Sequence, residues 1–428
     1  MSDSSSARRY ASKPPIGAVM TSPTKAQLQH SVLRHEPFRL FWLARVCSSV
    51  ALQMQAVAVG WQIYALTGSV FYLGLVGLAQ FLPMFLLTLA VGHVADRYDR
   101  RRIAGACQVL EGLALALLAL GSYGGWLSKE AILAIVFVAG GLRAFEGPTM
   151  LALVPWLVPQ ELIPRASAWS ASANQTASIA GPALGGLLYA LGPTTVYGSA
   201  AALFFAASFL LSRIRTERAP SRREPATVRS LFAGIAFIRS RQEILGAISL
   251  DLFAVLLGGA TALLPVFARD ILHTGPIGLG LLRAAPAAGA LGVSLFLARN
   301  PLRHRVGRTM FLSVLIFGVA TIVFGLSTSF PLSMGALMVL GAADIVSVVI
   351  RASLVQIETP DEMRGRVSAV NSMFIGTSNQ LGEFESGVTA ALFGTVPAVL
   401  IGGIGTVVVV LLWMRLFPRL LEVDRLGG

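Results

Sequence analysis

Twelve mostly apolar stretches recur along this 428-residue chain, and few architectures accept such a pattern. They lie near 38 to 65, 70 to 94, 103 to 123, 130 to 150, 166 to 190, 194 to 213, 243 to 267, 276 to 298, 309 to 327, 331 to 351, 367 to 393 and 396 to 417. About 20 such residues cross the ~30 Å of hydrocarbon as a helix. Helices are required because unpaired backbone is too costly in lipid, and the stretches lack the ten-residue alternation of barrel strands. The chain therefore reads as an all-α membrane protein with twelve transmembrane helices. Its charged fraction of 13% is about half that of a soluble domain. The net charge of +13 then bears on orientation in a lipid bilayer and implies no nucleic-acid partner.

With the N-terminus on the cytoplasmic side, the loops of that side hold 29 of the 34 basic residues, Arg351 included, and the opposite side holds Lys129 and Arg269. Both ends are thus expected in the cytoplasm, and a bacterial inner membrane is the expected location. Residues 1–37 read as a disordered tail without a signal-peptide core; being basic and nearly free of acids, they could alternatively be an organelle-targeting leader. The expected domains are a six-helix bundle over 38–213, a linker over 214–242, a second bundle over 243–417 and a tail over 418–428. Within the linker, Leu231, Ile235 and Ile238 share one helical face, which predicts a helix lying on the membrane surface. Pro83, Gly181-Pro182, Pro265 and Pro286 are expected kink points.

The halves repeat. Pro159-Gln-Glu161-Leu-Ile-Pro-Arg165-Ala-Ser167-Ala168 matches Pro360-Asp-Glu362-Met-Arg-Gly-Arg366-Val-Ser368-Ala369. Internal repeats in a membrane protein point to two pseudo-symmetric bundles that rock about a site near the midplane. Between the second and third stretches, Gly92, Asp96, Arg97, Arg100 and Arg101 resemble the loop signature of the major facilitator superfamily. Arg143-Ala-Phe-Glu146-Gly147 resembles the Arg-x-x-Gln-Gly element of its proton-coupled members, with Glu in place of Gln. The run from Ala177 through Gly181, Pro182, Gly185 and Gly186 resembles its antiporter motif, whose first Gly is here Ala177. Ala44-Arg45, Leu73-Gly74-Leu75 and Thr359-Pro360-Asp-Glu362 are similar to the branch that includes enterobactin exporters and macrolide-efflux pumps.

That resemblance implies a secondary active transporter, proton-driven and exporting a small amphipathic molecule, siderophore-like or drug-like. Gly92, Asp96, Arg97, Arg100 and Arg101 are the expected latch, Asp96 favouring the N-terminus of the eleventh helix. The plainer view is that Asp96 pairs with its basic neighbours in water. Ionisable residues inside helices are costly, so Arg143, Glu146, Glu111, Asp251 and Asp344 are the proton-coupling candidates, against the alternative of structural ion pairs. Counting along the helices places Glu111, Arg143, Asp251 and Asp344 near the cytoplasmic end, and Arg283, Glu383 and Glu385 in the opposite third. Cavity candidates are Gln53, Gln55, Asn174, Gln175, Asn379, Gln380, Arg283, Glu383 and Glu385, against plain interhelical hydrogen bonding.

The chain's three lysines, Lys13, Lys25 and Lys129, fit no phosphate-binding loop, so ATP does not drive it directly. The histidines form no metalloprotease motif, and neither enzyme chemistry, nor a metal, nor a cofactor is implied. The expected partners are a small-molecule substrate, protons or another coupling ion, and lipid, with the chain acting as a monomer. Proton-coupled import and a membrane sensor on the same fold are the alternative functions.

Overall fold

The computed structural model describes residues 32–215, 228–302 and 304–425; the side chains of 88–97 and 228–231 lie outside that description. Most of the expected N-terminal tail lies outside the described residues as well. The first bundle holds α1 (Glu36–Thr67), α2 (Val70–Arg97), α3 (Arg100–Tyr123), α4 (Lys129–Leu157), α5 (Ile163–Tyr189) and α6 (Pro193–Arg213). A linker helix, α7 (Val228–Ser240), leads to the second bundle. That bundle holds α8 (Gln242–Leu257) with its irregular continuation to Ile271, α9 (Gly275–Arg299), α10 (Val306–Leu326), α11 (Phe330–Glu358), α12 (Asp361–Phe393) and α13 (Thr395–Leu416). A short helix, α14 (Pro418–Glu422), follows.

Among the described residues, ten helices are long and apolar enough to cross a membrane. The two others of comparable length are α5 and α12, with 27 and 33 residues. These are the counterparts in the repeat, and their polar residues lower their hydropathy. Polar residues are tolerated there because both helices face protein: α5 packs on α9, and α12 packs on α2, across the line between the bundles.

Local signals set the helix ends. Pro37 near the start of α1 supplies a preset φ, and Gly68 ends it in the left-handed region, its N–H donating to the Tyr64 carbonyl at 2.8 Å. Asp99 caps α3 by accepting from the Arg101 N–H at 2.9 Å. Several helices outrun their apolar windows: α4 continues to Leu157 and α11 to Glu358. Hydropathy marks the part inside hydrocarbon, and the helix goes on into the interface. The seventh span breaks at Gly258 and Gly259, continues as a 3-10 turn, and ends in a π turn over Phe267–Ile271. Pro83, Pro182 and Pro286 sit inside unbroken helices.

The bundles meet through glycine. A Cβ on Gly74 would come within 3.0 Å of the Gly387 Cα, joining α2 to α12. A Cβ on Gly186 would come equally close to the Gly280 Cα, joining α5 to α9, at 3.0 Å. Both pairs lie toward the face opposite the chain ends, where they bring backbones together as small residues do in membrane helix packing.

The linker helix and the segment after α13 both pack on the second bundle. The α7 face bearing Ile235 and Ile238 packs against Ile244, Ile248, Val355, Val367 and Val370, and a Cβ on Gly234 would come within 2.9 Å of the Arg366 carbonyl. That face is therefore covered by the second bundle rather than by lipid. Beyond residue 417 the chain folds back: Leu420 is fully buried, and the Val423 carbonyl accepts from the Gly307 N–H at 2.9 Å.

Asp424 completes this contact, accepting from the Arg305 N–H at 3.0 Å and lying 3.2 Å from His304 Nδ1. These two groups, the Arg305 N–H first, hold its carboxyl below the ordinary range. A lowered carboxyl contributes stability above its unfolded pKa and loses it only as pH falls through the folded one. The bond from the Arg305 N–H to the Asp424 carboxylate should thus be constant across pH 5 to 8. Asp424→Ala should speed amide hydrogen exchange over residues 305 to 309 while leaving α9 unchanged.

Candidate functional site

Arg143 lies midway along α4, and its charge needs partners within the protein. Its Nη1 donates to Gln80 Oε1 at 2.8 Å and its Nη2 to Gln55 Oε1 at 3.0 Å, tying α4 to α2 and α1. The same guanidinium lies in the field of Glu111, Glu146, Glu383 and Arg283. A cavity of about 50 Å³ opens beside it, lined by Gln55, Gln80 and Arg143 from one bundle and by Pro265, Arg283 and Glu383 from the other. Depth counting, which put Arg143 and Arg283 in different layers, is corrected here. Arg143 stands at the midpoint of α4 and shares one cavity with Arg283, so the two belong to a single level between the bundles.

Behind Arg143, inside the first bundle, the acids form their own group. Glu146 Oε1 accepts from Gln108 Nε2 at 2.8 Å, and Arg45 of α1 acts on the same carboxyl. Glu111 is 1% exposed, and neither of its oxygens has a hydrogen-bond partner among the described residues. A carboxyl in such a place holds a charge at high cost, which makes it a place where a proton can be stored.

The second bundle carries a different arrangement. Arg351, counted from the sequence as a loop residue, is inside α11, where its Nη2 lies 3.1 Å from Asp251 Oδ2 with side-chain exposures of 4% and 7%. Its Nη1 donates to Asn371 Oδ1 at 3.2 Å, so α8, α11 and α12 meet there. Asp344 shares a void of about 10 Å³ with Asp251. The missed signal was spacing: Asp344 and Arg351 are two turns apart on one face of a helix that continues to Glu358.

At the face opposite the chain ends, the π turn after α8 aims two residues at α1. The Tyr64 hydroxyl donates to Asp270 Oδ2, and Arg269 Nη1 donates to the Tyr64 carbonyl at 3.3 Å. The Arg269 guanidinium lies 5.4 Å from the Tyr64 ring centroid and its Nε 3.7 Å from Asp270 Oδ1. This polar knot joins the two bundles on the side where Gly60 also meets Pro265 at 3.3 Å from a built Cβ. Sequence reading passed over it because Tyr64 and its two partners lie in different helices, about 205 residues apart.

A family model described as transmembrane secretion effector matches residues 28–426. The chain belongs to the major facilitator superfamily. Among curated relatives, an enterobactin exporter of Citrobacter koseri is 30% identical over 393 residues, covering 90% of this chain and 93% of the relative. An enterobactin exporter of Escherichia coli is 28% identical over the same shares. Among solved structures, a variant of the nucleoside transporter NupG gives a TM-score of 0.69 at 15% identity, over 89% of this chain and 100% of that one. An inward-facing bacterial homologue of the iron transporter ferroportin gives 0.68 at 17% identity, over 92% and 100%. The fold is shared with these, and the protein is a membrane transporter rather than an enzyme.

The remaining expected residues of this major facilitator protein fall in several places. Gln55, Arg283 and Glu383 line the cavity. Gln53 and Asn174 hold α1 to α5, through Ser178 at 3.2 Å and Ser49 at 3.0 Å. Gln175 bridges the bundles, its Nε2 donating to the Ala287 carbonyl at 2.9 Å. Asn379 and Glu385 bond within their own helix, to Ile375 and Thr389. Gln380 Oε1 is buried without a partner among the described residues. In the antiporter motif, Gly181 and Gly185 face α1, while Pro182 and Gly186 face α9. Arg100 stacks on Trp156 at 4.9 Å, and Arg101 donates to the Ile214 carbonyl; both tie the first bundle to itself. The side chains of Gly92, Asp96 and Arg97 lie outside the described residues.

Breaking a buried ion pair from one side leaves an uncompensated charge, at a cost of about 3–5 kcal/mol. Asp251→Asn should lower the thermal midpoint of detergent-purified protein accordingly. The double change Asp251→Leu with Arg351→Met should recover most of the loss, because no lone charge then remains.

Proposed function

We propose that this transporter drives a small amphipathic molecule outward against proton entry, as a monomer in the bacterial inner membrane with both ends in the cytoplasm. The observation that carries this reading is the position of Arg143, which touches the shared cavity through Gln55 and Gln80 and stands in the field of Glu111 and Glu146. Protonating either acid changes the pull on Arg143, and with it the wall of the cavity. The cavity of about 50 Å³ holds little more than one or two waters, whereas drug-sized pockets are several-fold larger. Cargo therefore requires the bundles to part. The exporter names of the relatives favour the outward direction.

In this reading the glycine pairs and the Tyr64–Asp270–Arg269 knot close the outer side, and they release when the bundles rock. Gly92, Asp96 and Arg97, at the far end of α2, close the cytoplasmic side in the other state, since α2 runs along α12. The domain boundaries follow from the two rocking units.

Everted vesicles with an acidic lumen test the direction, with enterobactin and amphipathic dyes as first cargoes. An exporter accumulates cargo in the lumen, and an importer does not. Glu146→Gln should abolish proton-driven accumulation while cargo-for-cargo exchange persists; unchanged accumulation would remove Glu146 from the coupling. For the outer closure, a thiol placed at Ala56 in a Cys47→Ser, Cys107→Ser background should react with an impermeant reagent from outside faster in Asp270→Asn than in the parent. An unchanged rate would mean that the knot closes nothing.

A further inference from the structure

Resting on the transport reading above, we infer that the cargo carries an anionic group, and that Arg283 is the residue that binds it. Arg283 lines the cavity from α9, in a helix otherwise free of charge until Arg299. A guanidinium has five donors in a planar fork. Among the described residues, Arg283 makes no hydrogen bond and no ion pair; the opposing charge that acts on it is Glu383, across the same cavity. The other cavity arginine is already engaged: Arg143 spends donors on Gln80 and Gln55 and has Glu111 and Glu146 behind it.

So the wall offers one arginine whose donors face open space and one carboxylate that balances its charge without bonding it. Glu383 lies against α2, where a Cβ on Gly77 would stand 2.8 Å from Glu383 Cβ and 3.2 Å from its Oε2. The empty fork matches a carboxylate or comparable oxyanion, which binds Arg through two parallel hydrogen bonds. The small volume admits such a head group, and once the bundles part Val59, Leu73, Val76 and Val136 offer an apolar wall to the adjoining ring or chain. Glu383 then acts as a built-in counter-ion that the cargo anion displaces. It also rejects a second negative charge at the same point.

The test uses full-length protein in nanodiscs and three probes of one shape, 2-naphthoate, 2-naphthamide and 2-naphthylmethylammonium, with binding read by calorimetry. Naphthoate should bind at least about tenfold more tightly than the amide, and the ammonium most weakly. Arg283→Gln should bring naphthoate down to the amide's affinity, and Glu383→Gln should tighten it. A second readout, circular dichroism and thermal midpoint, establishes that each variant is folded. Equal binding of the three probes, tighter binding of the ammonium, no binding of any, or a naphthoate affinity indifferent to Arg283→Gln overturns the inference. Proton-driven flux of a neutral or cationic cargo in everted vesicles would in that case leave the transport reading standing, and absence of flux for every cargo would remove both.

Discussion

The guanidinium of Arg143 stands at the midpoint of a membrane-spanning helix, far from either helix end, so the protein must arrange itself around that charge. Two glutamines from α1 and α2 take its donors, and acids of α3 and α4 stand behind it. The cost of leaving any of these polar groups unpaired in hydrocarbon fixes how four helices of the first bundle meet. Opposite them, Arg283 and Glu383 complete the wall from the second bundle. The site therefore exists only where two separately packed units face each other, and its shape changes whenever they move.

The proposed movement of the bundles turns on the nature of their contact. At the face away from the chain ends, the bundles touch through backbone at Gly74–Gly387 and Gly186–Gly280, and through the polar knot at Tyr64. Glycine contacts bring the backbones close without interlocking side chains. By contrast, the Asp251–Arg351–Asn371 group is internal to the second bundle and keeps that unit rigid. On the rocking-bundle reading proposed above, these two kinds of contact would divide the labour between seam and unit.

The hydrophobic windows and the internal repeat made the helices and their pairing into two halves legible, because membrane burial leaves few alternatives. Helix ends were less legible: apolar windows stop before α4 and α11 do, so Arg351 read as a loop residue although it lies inside α11. Among polar residues, Gln55, Arg283 and Glu383 line the small void between the bundles. Gln53 and Asn174 instead hold α1 to α5, since a polar side chain in a helix reads the same whether it faces a void or a neighbour. Gln80 and the Tyr64 knot went unread because their partners lie in other helices, at separations that periodicity does not encode.

The central claim, that proton uptake at the acids behind Arg143 lets the bundles part on the outer side, is tested most directly by a distance between them. Leu191 and Thr328 are exposed on the face opposite the chain ends, one in each bundle. Spin labels at these two positions, measured by double electron–electron resonance in nanodiscs, should give two distance populations. Acidification should shift weight to the longer one, and Glu111→Gln with Glu146→Gln should hold the balance fixed at every pH. A single distribution that ignores pH in the parent protein would contradict the coupling of these acids to the movement of the bundles.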